Sequence, residues 1–125
     1  MDSLIKITGL ELEKHCIKRL NEIAIWRDIT EEKIRKYLSS TLTTSGVLWF
    51  KKTRHLTEEE INRLMSNDNW NASVYNQHRN CYTRLQDRCK SLLKCSKEQE
   101  IYLTVDDYIK VTRPIDVNKL YHELE

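Results

Sequence analysis

The sequence predicts a predominantly helical α+β fold, and three observations support this prediction. Two Gly and one Pro among 125 residues argue against an all-β fold with many tight turns and against a Gly-rich phosphate loop. Several segments repeat apolar residues at helical spacing and begin with a capping residue. Two short apolar runs are typical of strands. We therefore expect about six helices, including a long central helix at 72–94, and a small two-stranded β element that pairs 47–50 with 101–103.

The first helices are expected as a pair within residues 8–38, after an extended lead-in at 2–7. Thr8 and Glu11 form a capping box, which marks a helix start. Thr30 has the position of a second cap, followed by inward-facing apolar residues. A short turn between two helices also occurs in DNA-reading helix-turn-helix motifs, but those prefer a glycine in the turn. Antiparallel packing of the two helices is therefore the favoured interpretation.

The middle of the chain, 46–97, is predicted as a strand, a short helix and the long helix. A Ser/Thr-rich linker at 39–45 precedes it. The apolar run 47–50 leads into a basic cluster, and Thr57 with Glu60 forms a second capping box.

The C-terminal segment 98–125 is acidic, with seven carboxylate side chains against three Lys/Arg. Ile101 to Leu103 is predicted as a strand, and Thr104 and Asp116 as the caps of two further helices. All segments are expected to form a single domain, 1–125, because this length can bury a core without disulfides or metal.

The long helix lies in the most basic stretch, 71–97, which holds six Lys/Arg against one acid. At 100° per residue, apolar side chains occupy one face of it. This face comprises Val74, His78, Cys81, Tyr82, Leu85, Cys89, Leu92 and Leu93. The basic side chains flank this face or lie further round the helix.

Four residues of this stretch have the side-chain types of a zinc site: His78, Cys81, Cys89 and Cys95. On a continuous helix Cys81 and Cys89 lie about 12 Å apart along the axis, too far to share one ion or a disulfide. We therefore expect no metal and no cofactor, and interpret these cysteines mainly as small buried side chains. For His78 we expect burial with one hydrogen-bond partner; the alternative is a nucleophilic pair with Cys81.

The basic side chains are the candidate binding residues for phosphate or nucleic acid, with Trp49, Trp70 and Tyr82 as candidates for stacking. The predicted set is Lys51, Lys52, Arg54, Arg79, Arg84, Arg88, Lys90 and Lys94. The competing interpretation is that the acidic segment 98–125 folds over the basic helix and neutralises it.

Other features narrow the class of protein. The sequence has no P-loop, GxGxxG, HExxH or GxSxG motif. No apolar run reaches the length of a membrane span, and the first residues lack the apolar core of a signal peptide. We therefore expect a cytoplasmic protein without membrane contact; its oligomeric state is open.

Three functional hypotheses follow. The first is a non-enzymatic regulatory protein that binds nucleic acid or another phosphate-bearing ligand through the basic helix. The second is a protein–protein interaction module, such as an inhibitor or adaptor encoded by a virus or mobile element. The third is a thiol enzyme that uses Cys81 and His78, for which the sequence offers no orienting acid.

Overall fold

The computed structural model describes residues 3–40, 42–45, 52–66 and 73–124. These residues form five helices and four strands, which confirms the predominantly helical α+β prediction. The helices, α1 to α5 in chain order, are Gly9–Ser40, Glu58–Met65, Ser73–Cys95, Val105–Thr112 and Val117–Glu123. The strands, β1 to β4, are Ile5–Thr8, Leu42–Ser45, Lys52–His55 and Glu100–Leu103.

The predicted pair of N-terminal helices is wrong, because α1 is one continuous helix and the described helices number five rather than about six. Thr30, expected as a cap, lies inside α1, where its hydroxyl donates to the carbonyl oxygen of Trp26 at 2.9 Å. No Gly or Pro interrupts the chain between Leu10 and Ser40. A single buried face runs along the helix and comprises Leu12, Cys16, Arg19, Ile23, Trp26, Thr30, Ile34 and Leu38.

The strands form two antiparallel pairs. The predicted strand at 101–103 is part of β4, and the described partner of β4 is β1, with Ile5 opposite Leu103. The predicted partner of this strand, residues 47–50, lies outside the described residues. The strand that pairs with β4 comes instead from the N-terminal segment that was predicted as an extended lead-in. β2 pairs with β3, so the predicted linker at 39–45 contains the end of α1 and a strand.

The long central helix is confirmed as α3, Ser73–Cys95, close to the predicted bounds. It packs along α1, and together with the inner face of the β1–β4 sheet these helices enclose the larger core cluster. A smaller cluster joins the last turns of α1 to α2 through Ile34, Leu38 and Ile61. α1 therefore contributes to both clusters.

Four of the five predicted caps are confirmed by hydrogen bonds to backbone amides; the exception is Thr30. The side chains of Thr8, Thr57, Thr104 and Asp116 each accept from the amide three residues later. At Thr57 the capping box is complete, since Glu60 also accepts from the Thr57 amide at 3.0 Å. Each cap satisfies an amide that the first helical turn leaves unpaired.

Gly9 begins α1 at a close approach to the turn that follows α3. Its amide donates to the carbonyl oxygen of Gln99 at 3.2 Å. A Cβ at this position would lie 2.0 Å from the carbonyl oxygen of Glu98 and 2.3 Å from that of Ser96, closer than any side chain tolerates. Only glycine therefore fits where the two helices meet the sheet.

A buried arginine connects α1 to the last residue of α4. Arg19 is 4% exposed; its Nη1 donates to the carbonyl oxygen of Thr112 at 3.2 Å, and its Nη2 to Glu22 Oε1 at 3.0 Å. The other oxygen of Glu22 accepts from the Ile115 amide at 2.9 Å. Glu22 thus neutralises a buried charge and fixes the chain that leads into α5.

We expect Glu22→Gln to lower the free energy of unfolding by about 2 kcal/mol or more, because the buried Arg19 guanidinium loses its counter-charge. Urea unfolding at pH 7 measures this loss. Glu13→Gln is the matched control, since Glu13 is exposed and makes no ion pair with any described residue of α1 or its neighbours. Equal stability of the two variants would contradict the role assigned to Glu22.

Candidate nucleic-acid interface

One face of α3 is exposed along most of the helix. Its side chains recur at intervals of three, three and one residues, so they lie on a single side of the helix. We name this surface the α3 stripe; it comprises Gln77, Asn80, Thr83, Arg84, Asp87, Lys90, Ser91 and Lys94, all exposed. The α3 stripe is entirely polar and carries three cations and one carboxylate.

Two of the predicted phosphate-binding arginines on α3 are held in ion pairs within the fold. Arg79 Nη2 lies 3.1 Å from each carboxylate oxygen of Glu31 and also donates to the carbonyl oxygen of Met65. Arg88 binds the Asp107 carboxylate through two hydrogen bonds, one of them from Nε to Oδ1 at 2.9 Å. The Arg88 hydrogen bonds lower the pKa of Asp107, which stays ionised at neutral pH.

The predicted cluster at 51–54 is only partly described. Arg54 Nη1 lies 2.7 Å from Glu60 Oε1, and this hydrogen bond lowers the pKa of Glu60 to about 2. Lys52 begins β3, and Lys51 lies outside the described residues. The binding role predicted for this cluster stays a prediction.

The remaining predicted cations of α3 are exposed and make no ion pair with the described part of the chain: Arg84, Lys90 and Lys94. The described part of the acidic C-terminal segment, residues 98–124, makes no ion pair with these three cations. Its Asp107 contacts Arg88 at one edge of the helix, and its Glu123 lies 3.7 Å from His78 on the buried side. The competing interpretation therefore holds for Arg88 and not for the α3 stripe.

His78 is buried, as expected, and its partner is an indole. Trp26 Nε1 donates to His78 Nδ1 at 2.9 Å, so the neutral ring carries its proton on Nε2. Nε2 faces Glu123 Oε2 at 3.7 Å. Burial lowers the pKa of His78, and the nearby Glu123 carboxylate opposes this shift. The hydrogen bond between Trp26 and His78 joins α1 to α3 in the core.

The burial of the cysteines differs in part from the sequence prediction. Cys89 is buried, but Cys81, expected on the apolar face, is exposed, as is Cys95. Burial raises the pKa of the Cys16 thiol to about 11, which keeps it protonated. Among the described residues no group of three or more His, Cys, Asp or Glu side chains is placed to hold a metal ion.

The thiol-enzyme hypothesis receives no support from the geometry around Cys81. Both ring nitrogens of His78 face other groups, Trp26 and Glu123, and Cys81 makes no hydrogen bond to a described residue. The helix position of Cys81 places its side chain toward solvent rather than toward the imidazole.

Of the three aromatic residues predicted for stacking, the structure describes only Tyr82, which is not on the α3 stripe. Tyr82 is 5% exposed and its hydroxyl donates to Glu31, so it belongs to the core. Trp49 and Trp70 lie outside the described residues. Tyr37, one of the residues expected to face inward after Thr30, is exposed, and Tyr121 of α5 is exposed as well.

None of the helices in the described ranges combines the length and the apolar character needed to cross a lipid bilayer.

We expect the free energy of unfolding to fall as the pH drops from 7.5 to 5.5, because the unfolded chain protonates histidine near pH 6.5 while the folded protein resists protonation of His78. His78→Gln should reduce this pH dependence and lower stability at pH 7.5 by about 1 kcal/mol, since Trp26 loses its acceptor. Urea midpoints across this range test both effects.

His15→Gln is the control for the pH experiment, because His15 lies on the partly exposed side of α1. This variant should keep the pH dependence of the unmodified protein. An unchanged pH dependence in His78→Gln would show that His78 is not the responsible group.

Comparison of the chain with models of known families, with curated proteins and with solved structures gives no match. The function therefore has to be inferred from the arrangement of the residues described above.

Proposed function

We propose that this protein is a non-enzymatic nucleic-acid-binding protein that contacts its ligand through the α3 stripe. The observation that supports the proposal is the exposure of Arg84, Lys90 and Lys94 without an ion pair to any described residue. The neighbouring basic side chains that could have formed a similar surface, Arg79 and Arg88, have carboxylate partners.

The spacing of these cations favours a polymer over a small phosphate ligand. Arg84 and Lys94 are ten residues apart, which corresponds to about 15 Å along the helix. One phosphate group cannot contact both side chains at once. A nucleic acid presents a phosphate every few ångströms along each strand, so a single molecule can satisfy all three cations.

The uncharged side chains of the α3 stripe suit the same ligand. Gln77 and Asn80 carry amide groups that can both donate and accept, and Thr83 and Ser91 carry hydroxyls. A helix fits the major groove of B-DNA, which is about 12 Å wide, and amide side chains are common partners of adenine there. Asp87 limits the net charge of the stripe, so we expect weak, salt-sensitive binding.

The test measures affinity for duplex DNA by fluorescence anisotropy at several salt concentrations. Three phosphate contacts predict a slope of log K against log salt of about −3. The triple variant Arg84→Ala, Lys90→Ala, Lys94→Ala should lose most of the binding and most of the slope.

The matched control removes two lysines and one arginine from the exposed side of α1: Lys14→Ala, Lys18→Ala, Arg27→Ala. It has the same net charge as the test variant and should bind more tightly than that variant at every salt concentration. If both variants lose affinity equally, binding follows net charge and the α3 stripe is not the interface.

The alternative function is protein–protein interaction, and a second surface favours it. Tyr102 is 58% exposed on the outer face of the β1–β4 sheet, and Val105 and Ile109 lie one turn apart on the exposed side of α4. Leu4, just before β1, is 57% exposed. Large apolar side chains exposed on a sheet and on the helix that follows it are typical of contact regions when they form a continuous patch.

For this alternative we expect a complex of fixed stoichiometry that survives nuclease treatment and is lost in Tyr102→Lys. Affinity capture followed by sizing and mass analysis measures both properties. Tyr102→Phe should retain the complex, because it keeps the ring. Release of the bound material by nuclease would support the nucleic-acid function instead.

A further inference from the structure

A groove of about 430 Å³ lies where α4 and α5 meet α1 and α3. We name it the α4–α5 groove, and its apolar wall comprises Trp26, Leu85, Ile109, Ile115 and Leu120. Its volume is within the range of small-molecule sites, about 300–1,000 Å³. The described residues that line it include none of the α3 stripe, so it is a separate candidate site.

The apolar wall extends from the core to the surface. Trp26 is 8% exposed and belongs to the larger core cluster, and Leu85, Ile115 and Leu120 are half-buried against that cluster. Ile109 is 42% exposed and forms the outer part of the wall. The apolar part of a ligand in this groove would therefore cover apolar surface that water still reaches, which favours binding.

Polar contacts with α1 hold the segment that links α4 to α5. The Ile115 amide donates to Glu22 at 2.9 Å, and the carbonyl oxygen of Thr112 accepts from Arg19 at 3.2 Å. The side of the groove that this segment forms is therefore anchored to α1. A pre-formed wall reduces the entropy that binding costs.

The polar side chains that line the groove carry an excess of positive charge among the described residues. There are two carboxylates, and each has a partner within the fold. Asp116 Oδ1 accepts from the Lys119 amide at 3.1 Å, and Glu123 Oε2 lies 3.7 Å from His78 Nε2. The three cations are exposed: Lys110, Arg113 and Lys119.

Two of these cations are available to a ligand. The pKa of Asp107 is lowered by Arg88 and, more weakly, by Lys110, so the Lys110 charge already acts on a carboxylate of the fold. Arg113 and Lys119 make no ion pair with any residue that the structure describes. A guanidinium can bind a carboxylate through two parallel hydrogen bonds. An anion in the groove would therefore find one guanidinium and one ammonium group.

We propose that the α4–α5 groove binds a small amphipathic carboxylate, with its apolar body against the apolar wall and its carboxylate on Arg113 and Lys119. An apolar wall beside a few polar groups is typical of small-molecule sites. Three cations against two carboxylates leave one positive charge, which matches a monoanion better than a phosphate with two negative charges. The inference goes beyond the proposed function and does not depend on it.

The experiment uses the whole protein and isothermal titration with three probes: octanoate, octan-1-ol and acetate. Octanoate should bind about tenfold more tightly than octan-1-ol, which lacks the charge, and than acetate, which lacks the apolar body. Octanoate that binds no more tightly than octan-1-ol would overturn the proposal. The absence of octanoate binding at millimolar concentration would overturn it as well.

A fourth probe tests a peptide as the occupant. An N-acetylated tripeptide that ends in leucine carries an apolar side chain beside a single carboxylate. Weaker binding of this peptide than of octanoate supports a free carboxylate as the ligand. Tighter binding would overturn that assignment and identify the C-terminus of a peptide instead.

A charge variant tests the role of Arg113. Arg113→Gln should weaken octanoate binding by about tenfold and leave the weaker binding of octan-1-ol unchanged. Arg63→Gln is the matched control, because Arg63 is an exposed arginine of α2 that does not line the groove. This control should bind octanoate as the unmodified protein does. An equal loss in both variants would indicate a general charge effect and overturn the assignment to Arg113.

An apolar variant tests the position of the ligand body. Ile109→Ala should weaken the binding of octanoate and octan-1-ol alike, because less apolar surface is covered. Val105→Ala is its control, since Val105 is 46% exposed one turn earlier on α4 and does not line the groove. Circular dichroism with thermal unfolding confirms that each variant is folded. Equal octanoate binding by Ile109→Ala and the unmodified protein would place the ligand elsewhere.

The outcome is distinguishable from a failure of the proposed function. Arg113→Gln should keep the salt-dependent binding of duplex DNA, and the triple variant of the α3 stripe should bind octanoate as the unmodified protein does. Loss of both ligands in either variant would indicate one shared site and overturn the assignment of octanoate to the α4–α5 groove.

Discussion

The fold depends on the burial of one continuous face of α1. A helix of 32 residues is about 48 Å long, and along this length it packs against α3, α5, α2, α4 and β1. Two polar contacts fix its position within the apolar core. Trp26 donates to His78 of α3, and Arg19 with Glu22 holds the chain between α4 and α5. Buried polar groups are costly when unpaired, so these contacts favour one arrangement of the helices over alternatives.

The same packing determines which charges are available to a ligand. Where α3 approaches α1 and α4, its arginines are neutralised by Glu31 and Asp107, and these pairs help to hold the helices together. Where α3 faces solvent, Arg84, Lys90 and Lys94 meet no carboxylate in the described residues. The sequence count of positive charge on 71–97 therefore overstates the unpaired charge that α3 exposes. The direction in which each side chain points decides between an ion pair within the fold and exposure to solvent.

Local features were predictable from the sequence and long-range ones were not. Four of the five caps were predicted correctly because a hydroxyl or carboxylate and its amide partner lie three residues apart. Thr30 misled the prediction, since its hydroxyl can also bond to its own helix. The pairing of β1 with β4 depends on contacts across almost the whole chain. The three cations of the α3 stripe were among the predicted binding residues, but the ion pairs of Arg79 and Arg88 could be seen only in the tertiary structure.

The pairing of β1 with β4 has a consequence for synthesis of the chain. Ile7 of β1 lies opposite Ile101 of β4. β1 therefore cannot pair until the ribosome has added more than ninety further residues. During translation the apolar side chain of Ile7 stays uncovered while α1 and α3 are completed. Closing so long a loop is entropically unfavourable before the helices dock. The β1–β4 sheet is therefore expected to form last, after the packed helices have brought β1 and β4 close together.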